Sequence, residues 1–380
     1  MKIRNYKFDC KFFNGYKPCK FNRENCKGCE NYQKIKYLIL IINLDALGDV
    51  LMTTATLPAI KRKYPESFII WLTEKNAVPL LENNHLIDKI MTWDWESYLI
   101  LKNMKFDIVF NADKSIRSSA FAMEMNARLK KGFKINRFGA ILPFDKDAYY
   151  DYYLGLNNKA KFKENQLTGQ EILAKTFGVE YSRDEYILNL SEEQKRYIRE
   201  YKLKNNISEN DIVVGFNTGC SSLYPNKKFE IEHILYIINR IHKEFPEVKI
   251  ALFGGKDEKE RNEFIAKSLN FNIINTPTDE GLRNGIAVMD IADIIVTGDT
   301  LGMHIGIGLK KEIIVWFNVS CAAEIDLYNR GVKILSDVPC SPCWKRECDS
   351  LLCLKNIDLE KIYNAIKQSI EKLKLRKNLK

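Results

Sequence analysis

The chain has 380 residues, 46% of them hydrophobic, and a formal net charge of +10, a size that suits two ordinary cores better than one and a charge that favours an anionic partner. No apolar run approaches the roughly 18 residues a membrane-spanning helix needs; the longest, Tyr37–Ile42, is strand-sized. The first residues, Met1-Lys-Ile-Arg-Asn-Tyr-Lys, carry charge without the apolar stretch of a signal peptide, so the expected location is the cytoplasm.

Residues 1–34 form a small cysteine-rich segment with too few apolar side chains for a core. Cys10, Cys19, Cys26 and Cys29 are spaced C-x8-C-x6-C-x2-C, and a second set near the C-terminus, Cys340, Cys343, Cys348 and Cys353, reads C-x2-C-x4-C-x4-C. In a reducing compartment such clusters hold a metal more often than they form disulfides. Each set has the chelating C-x2-C pair and two further thiols for a tetrahedral site, so structural zinc is expected, with iron as the alternative. Reduced cysteines packed under loops are the competing reading.

From residue 35 the apolar pattern changes. Lys36–Asn43 reads as a buried strand, Leu44–Asp49 as a turn, and Val50–Tyr64 as a helix kinked at Pro58. Strand-like runs follow at Phe68–Leu72, Lys89–Trp93 and Asp107–Phe110, separated by helical or irregular stretches, the alternation of a parallel sheet. The region Lys134–Tyr186 resists assignment apart from a helix at Thr168–Phe177. Ser191–Tyr201 is a Ser-capped, charge-rich helix, after which a second alternating set begins, with strands at Asp211–Phe216, Val248–Phe253, Asn272–Ile274, Asp293–Val296 and Glu312–Phe317. A last helix starts near Asp358 and ends in the basic run Lys374–Lys380, which either approaches an anionic membrane peripherally or is solvated; the solvated reading is preferred. The expected domains are a cysteine-rich segment (1–34), an N-terminal α/β domain (35–205), a C-terminal α/β domain (206–335) and a cysteine-rich finger with the last helix (336–380).

Ligands of parallel sheets sit beyond the C-terminal ends of the strands, so strand-end residues carry the functional signal. The plainest is Asp293-Ile-Ile-Val-Thr-Gly-Asp299-Thr300-Leu301-Gly302-Met303-His304-Ile-Gly306, a buried strand that breaks into a polar turn and opens a small-residue helix. Its amides suit an anion, above all a phosphate, although Asp299 or Thr300 could simply cap the helix. Gly48-Asp49 opens the first helix of the first half. Asn217-Thr218-Gly219-Cys220-Ser221-Ser222 and Gly254-Gly255-Lys256-Asp257-Glu258 follow two strands of the second. No dinucleotide fingerprint, P-loop or H-E-x-x-H is present, and Asp145-Lys-Asp147 reads as paired surface acids on a loop.

Taken in order, Leu-Gly-Asp-Val-Leu at 47–51, the lysine-bearing segment after Asn217-Thr218-Gly219, Gly-Gly-x-x-Glu at 254–258 and Asp-Thr-x-x-x-His at 299–304 resemble the pattern of glycosyltransferase family nine, which includes the ADP-heptose:lipopolysaccharide heptosyltransferases. The resemblance runs from about Lys36 to Ile357, and the N-terminal cysteine segment is similar to a subset of that family. It implies a GT-B fold, α/β with two Rossmann-like domains facing a cleft and here with cysteine-rich N- and C-terminal segments. It also implies inverting transfer from a nucleotide-diphosphate sugar, expected to be ADP-heptose, to a cell-surface glycan or a protein, without a cofactor or metal for catalysis.

By the same resemblance Asp49 is the base for the acceptor hydroxyl and Lys227, with Lys228 as alternate, meets the diphosphate. Thr218 and Ser221 are candidate donors to that group or turn-closing residues. Glu258 corresponds to a carboxylate that holds the ribose hydroxyls. Asp299 is assigned to sugar hydroxyls, Thr300 and the amides of Leu301 and Gly302 to phosphate, and His304 to the donor side, with a structural histidine as the alternative. The sequence departs from the family where Leu301 separates Asp-Thr from glycine, and where Phe317-Asn318-Val319-Ser320 replaces the usual Phe-Gly-Pro-Thr. Two other functions compete: a non-catalytic metal-finger protein that grips nucleic acid, disfavoured because lysine and arginine are dispersed rather than striped, and a nucleotide-sugar epimerase on the same fold.

Overall fold

The structure, a computed structural model, describes residues 5–16 and 19–378; the start of the charged N-terminus (Met1–Arg4) and the last two residues of the basic run (Leu379 and Lys380) lie outside them. Two six-stranded sheets account for the architecture. The first contains β1 (Tyr37–Ile42), β2 (Ser67–Thr73), β3 (Lys89–Thr92), β4 (Phe106–Asn111), β5 (Ala127–Ile135) and β6 (Ile141–Pro143), in the order β3-β2-β1-β4-β5-β6. All its pairs are parallel except β5 with β6. The second contains β7 (Val213–Asn217), β8 (Lys249–Phe253), β9 (Ile274–Asn275), β10 (Ile294–Gly298), β11 (Glu312–Phe317) and β12 (Gly331–Leu335), all parallel, in the order β12-β11-β10-β7-β8-β9. Each is the doubly wound order in which the chain reverses direction across the sheet after its third strand.

The central strands are unbroken apolar runs because helices cover both of their faces: Ile39–Ile42 and Ile294–Gly298 are buried throughout. β5 and β12 escape a search for such runs. Ala-Arg-Leu-Lys-Lys-Gly-Phe-Lys-Ile pairs with β4 on one side and β6 on the other, yet only Gly132 and Phe133 are buried. Its charge is tolerated because the Lys131 ammonium lies 2.5 Å from both Asp145 and Asp147, which makes that acidic pair a counter-ion for the sheet. The helix expected across Val50–Tyr64 is two helices, Leu47–Thr53 and Leu57–Lys63, joined by a tight turn at Thr54–Thr56. Pro58 stands in the first turn of the second helix, where its missing N–H costs no hydrogen bond.

By contacts the chain divides into two compact units: residues 1–46, 53–156 and 170–184, and residues 47–52, 157–169 and 185–380. The units interleave along the sequence, whereas the expected domains were sequential. The first has a core built on Leu40, Ile42, Ile70, Leu72, Val109 and Phe121. In the second, Val214, Phe216, Ile250, Val296 and Trp316 of the sheet pack with Ile237 and Ile241 of helix Ile231–Glu244 and with Ile362, Ile366 and Ile370 of the last helix, Leu359–Asn378. Within the basic run, Lys374 pairs with Glu247 and Lys377 lies 3.3 Å from Asp293, so these lysines face the protein's own carboxylates. No helix among the described residues is long and apolar enough to cross a membrane.

At the reversal point of the first sheet, buried Asp113 lies just past β4 and accepts from the Asn43 side chain (2.7 Å) and the Leu44 amide (2.5 Å) just past β1. Replacing Asp113 with alanine strands two buried donors and is expected to cost about 3 kcal/mol, read as a lower urea midpoint for the first unit.

Candidate active site

The reversal point of the second sheet lies between β7 and β10. Asn217, the last residue of β7, is buried, and its side-chain amide reaches the hydroxyls of Thr297 (3.1 Å) and Thr300 (3.0 Å), tying the two strand ends together. β10 ends in Gly298 because a Cβ there would sit 1.8 Å from the Lys227 carbonyl oxygen. That close approach carries the short turn Pro225–Lys227 over the strand end and delivers the Lys227 ammonium to Asp299, 2.7 Å away, with each side chain only 13% exposed. Burial alone would raise the pKa of Asp299; the Lys227 ammonium, by its charge and its hydrogen bond, outweighs it and holds the carboxyl below its usual range.

Helix Leu47–Thr53 carries Asp49 in its first turn, entered through Ala46 in the left-handed conformation (φ +41°), a strain of the kind found at functional sites. Residues 47–52 pack with the second unit. By surface area Asp49 is exposed to solvent, although protein lies densely around it. This desolvation, reinforced by the Asp299 and Glu324 charges and opposed by Lys227 and Lys161, pushes its pKa up to about 6. Glu324 in turn lies 2.8 Å from Lys161. Three carboxylates and two ammonium groups thus alternate in one cluster. A carboxylate titrating near 6 is ionised at neutral pH yet basic enough to take a proton from a reacting hydroxyl, and the lysines can meet negative charge on a departing group.

The other expected site residues divide. Thr300 stands at the N-cap position of the buried helix Leu301–Gly308 with its hydroxyl turned to Asn217 and Thr297 rather than to the helix amides, and Gly302 lets Asn217 pack against that helix; a Cβ at 302 would lie 2.5 Å from the carboxamide. Leu301 is half-buried in the helix's first turn. The Glu258 carboxylate accepts from the Gly255 amide (2.9 Å) and lies across Gly219. Lys228 is half-buried next to Lys227, while Ser221 is exposed and accepts from the Leu223 amide. Thr218 points inward, fully buried, with its hydroxyl 2.5 Å from the Asn262 carboxamide and 3.1 Å from the Phe253 carbonyl. His304 is buried as well. Its ring stacks on Tyr186, whose hydroxyl is 3.2 Å from Nδ1, and abuts Gly48. Burial pushes its pKa down to about 4, against the pull of Asp299, so it braces the Asp49 helix as a neutral ring.

Lys161 and Glu324 were not expected. Glu324 follows β11 as Asp299 follows β10, a strand-end acid displaced by six residues, and Lys161 lies in a stretch without apolar periodicity. Among the described residues no three His, Cys, Asp or Glu side chains are placed to share an ion. Cys10, Cys19, Cys26 and Cys29 nonetheless border a single cavity of about 10 Å³. In the C-terminal set, burial raises the Cys353 thiol pKa, and Cys343 and Cys340 add to that.

Residues 99–353 match the model of glycosyltransferase family 9 (heptosyltransferase). The chain belongs to this family. Its alternating sheets are therefore the two Rossmann-like units of a GT-B glycosyltransferase. It is 24% identical over 276 residues to the lipopolysaccharide core heptosyltransferase OpsX of Haemophilus influenzae, covering 70% of this chain and 75% of that one. It is 23% identical over 357 residues to lipopolysaccharide heptosyltransferase 1 of Campylobacter coli, covering 87% and 98%. The structure of E. coli ADP-heptose lipopolysaccharide heptosyltransferase II superposes with a TM-score of 0.64 at 17% identity, over 90% of this chain and 99% of that one. The family match favours glycosyl transfer over the nucleic-acid-binding and epimerase readings.

A methyl group at residue 298 cannot be accommodated, because the atom it meets is backbone. Gly298→Ala is expected to displace the Lys227 turn and abolish nucleotide-dependent thermal stabilisation. Gly285→Ala, in helix Gly281–Met289 with no atom within 4 Å, serves as the control and should be neutral or stabilising by roughly 0.5 kcal/mol.

Proposed function

We propose that this glycosyltransferase moves a heptose from an ADP-activated donor to a lipopolysaccharide-type glycan, with inversion at the anomeric carbon. The observation that carries the reading is the grouping of Asp49, with its raised pKa, beside the Lys227–Asp299 pair at a sheet reversal point. The names of the relatives support the sugar and the acceptor; a protein acceptor is the finer alternative. In the proposed step the acceptor oxygen bonds to the anomeric carbon as the bond from that carbon to the phosphate oxygen breaks. The acceptor proton passes to the Asp49 carboxylate, and ADP leaves with the electron pair, its growing charge met by Lys227 and the Thr300–Gly302 helix start. Asp299 fixes Lys227 and takes sugar hydroxyls, while Glu258 takes the ribose. Two lysines supply the positive charge, so transfer is expected to continue in EDTA.

The location proposed is the cytoplasm, a reducing compartment that suits ten free thiols. We also propose a structural zinc or iron at Cys10, Cys19, Cys26 and Cys29. The support is that all four cysteines are among the residues lining one cavity in a segment with little core of its own. Elemental analysis should find about one ion fewer in a Cys26→Ser, Cys29→Ser double variant.

Incubated with ADP-heptose and a truncated lipopolysaccharide acceptor, the wild type should yield ADP and a product heavier by one heptose. Asp49→Asn should lower kcat by roughly 10²–10⁴-fold while ADP still raises the melting temperature; unchanged turnover in that variant would remove Asp49 from its role. A thermal-shift comparison with UDP-, GDP- and CMP-sugars tests the base.

The base acts only when ionised, so kcat/KM should fall about tenfold per unit as pH drops below about 6. Stability moves the other way. The folded Asp49 pKa lies above the unfolded value near 3.8, so this group's stabilising contribution is present at low pH and lost as pH rises through 6. Asp49→Asn should therefore raise the melting temperature at pH 8 more than at pH 4.5.

A further inference from the structure

Beside the Lys227–Asp299 pair stands a group of side chains that the transfer step above does not use. The Lys227 ammonium lies 5.1 Å from the centre of the Tyr224 ring and 5.0 Å from that of Trp344, whose rings are 5.1 Å apart at 55°. Lys161, the second ammonium of the cluster, lies 5.5 Å from the same indole. One indole thus touches both positive charges. Trp344 comes from the cysteine-rich segment after β12 and is held there by backbone. Its amide donates to the Val319 carbonyl (2.8 Å), as does that of Cys343 (3.2 Å), and its φ is +54°, a conformation bulky residues avoid. The loop that anchors it also anchors the lysine turn: Asn318 donates to the Asn226 carbonyl (2.6 Å), next to Lys227, and its own carbonyl accepts from Ser341 (2.5 Å).

We propose that Trp344 is a positioning residue for the diphosphate site: with Tyr224 it forms an aromatic cradle that holds the Lys227 and Lys161 ammonium groups toward the leaving group. The chemistry is that of a cation over a π-face, which favours an ammonium within about 6 Å of the ring centre and is strongest for tryptophan. An ammonium bound only to Asp299 would follow that carboxylate. The rings give it a second restraint that carries no negative charge and so adds no repulsion toward an incoming diphosphate. The cysteine-rich segment thereby becomes part of the nucleotide-sugar site. This inference rests on the glycosyl-transfer reading.

The experiment is calorimetric titration of the full chain with ADP, with transfer assayed in parallel. Trp344→Ala should weaken ADP binding about tenfold and Trp344→Phe less than threefold. Trp344→Leu, which keeps bulk without a π-face, should behave like alanine and decides the matter if the alanine variant does not fold. In a Lys227→Met background, Trp344→Leu should cost about threefold rather than tenfold, because only the Lys161 ammonium is then left for the indole to hold. Equal ADP affinity in wild type and Trp344→Leu, or losses that simply multiply in the double variant, overturns the proposal. If ADP binding shows the expected coupling while no acceptor is glycosylated, the cradle stands and the transfer reading fails.

Discussion

The contact on which the site depends is the ion pair between Lys227 and Asp299. Both side chains are nearly buried, and removing one partner from a pair in such surroundings typically costs about 3–5 kcal/mol, because the other is left without compensation. Much of the nearby geometry serves to place the two groups. Gly298 allows the turn to cross the strand end, Asn217 binds the ends of β7 and β10 together, and Asn318 holds the turn at Asn226. The pair also sets the state of its neighbour, since Asp299 raises the Asp49 pKa and Lys227 lowers it.

The electrostatic arrangement is a compromise between two demands. A base must bind a proton well enough to take it from a hydroxyl, which calls for nearby negative charge and poor hydration. A diphosphate calls for positive charge in the same place. The site meets both by alternation: Asp49, Asp299 and Glu324 lie among Lys161 and Lys227. Neutral His304 adds bulk beneath the Asp49 helix without adding charge.

Much of this was legible in the sequence because parallel sheets write themselves plainly. Buried strands are apolar runs, and the residue that follows each run is where ligands meet the sheet. Asp49, Lys227 and Asp299 could be picked out on that rule together with the family pattern, and the structure brings them into one cluster. What was hidden has physical reasons. β5 is rich in lysine because loop acids neutralise it, so it has no apolar signature. Lys161 and Glu324 come from irregular segments whose position only tertiary structure decides. Thr218 and His304 carry two readings in the sequence, ligand group or structural residue, because whether a polar side chain near a strand end turns outward or inward is settled by packing. Here Asn262 and Tyr186 draw them in.

The Phe317-Asn318-Val319-Ser320 stretch, which departs from the family's Phe-Gly-Pro-Thr, is a junction in the structure. The Asn318 carboxamide donates to Asn226 and lies 3.4 Å from the Cys353 sulfur, while its backbone carbonyl receives Ser341. Neither glycine nor proline has a side-chain amide to make the first two contacts. The substitution and the cysteine-rich tail are therefore two halves of one feature, and across related chains they should be gained and lost together: asparagine at this position should covary with the downstream cysteines and tryptophan, and Gly-Pro with tails that lack them.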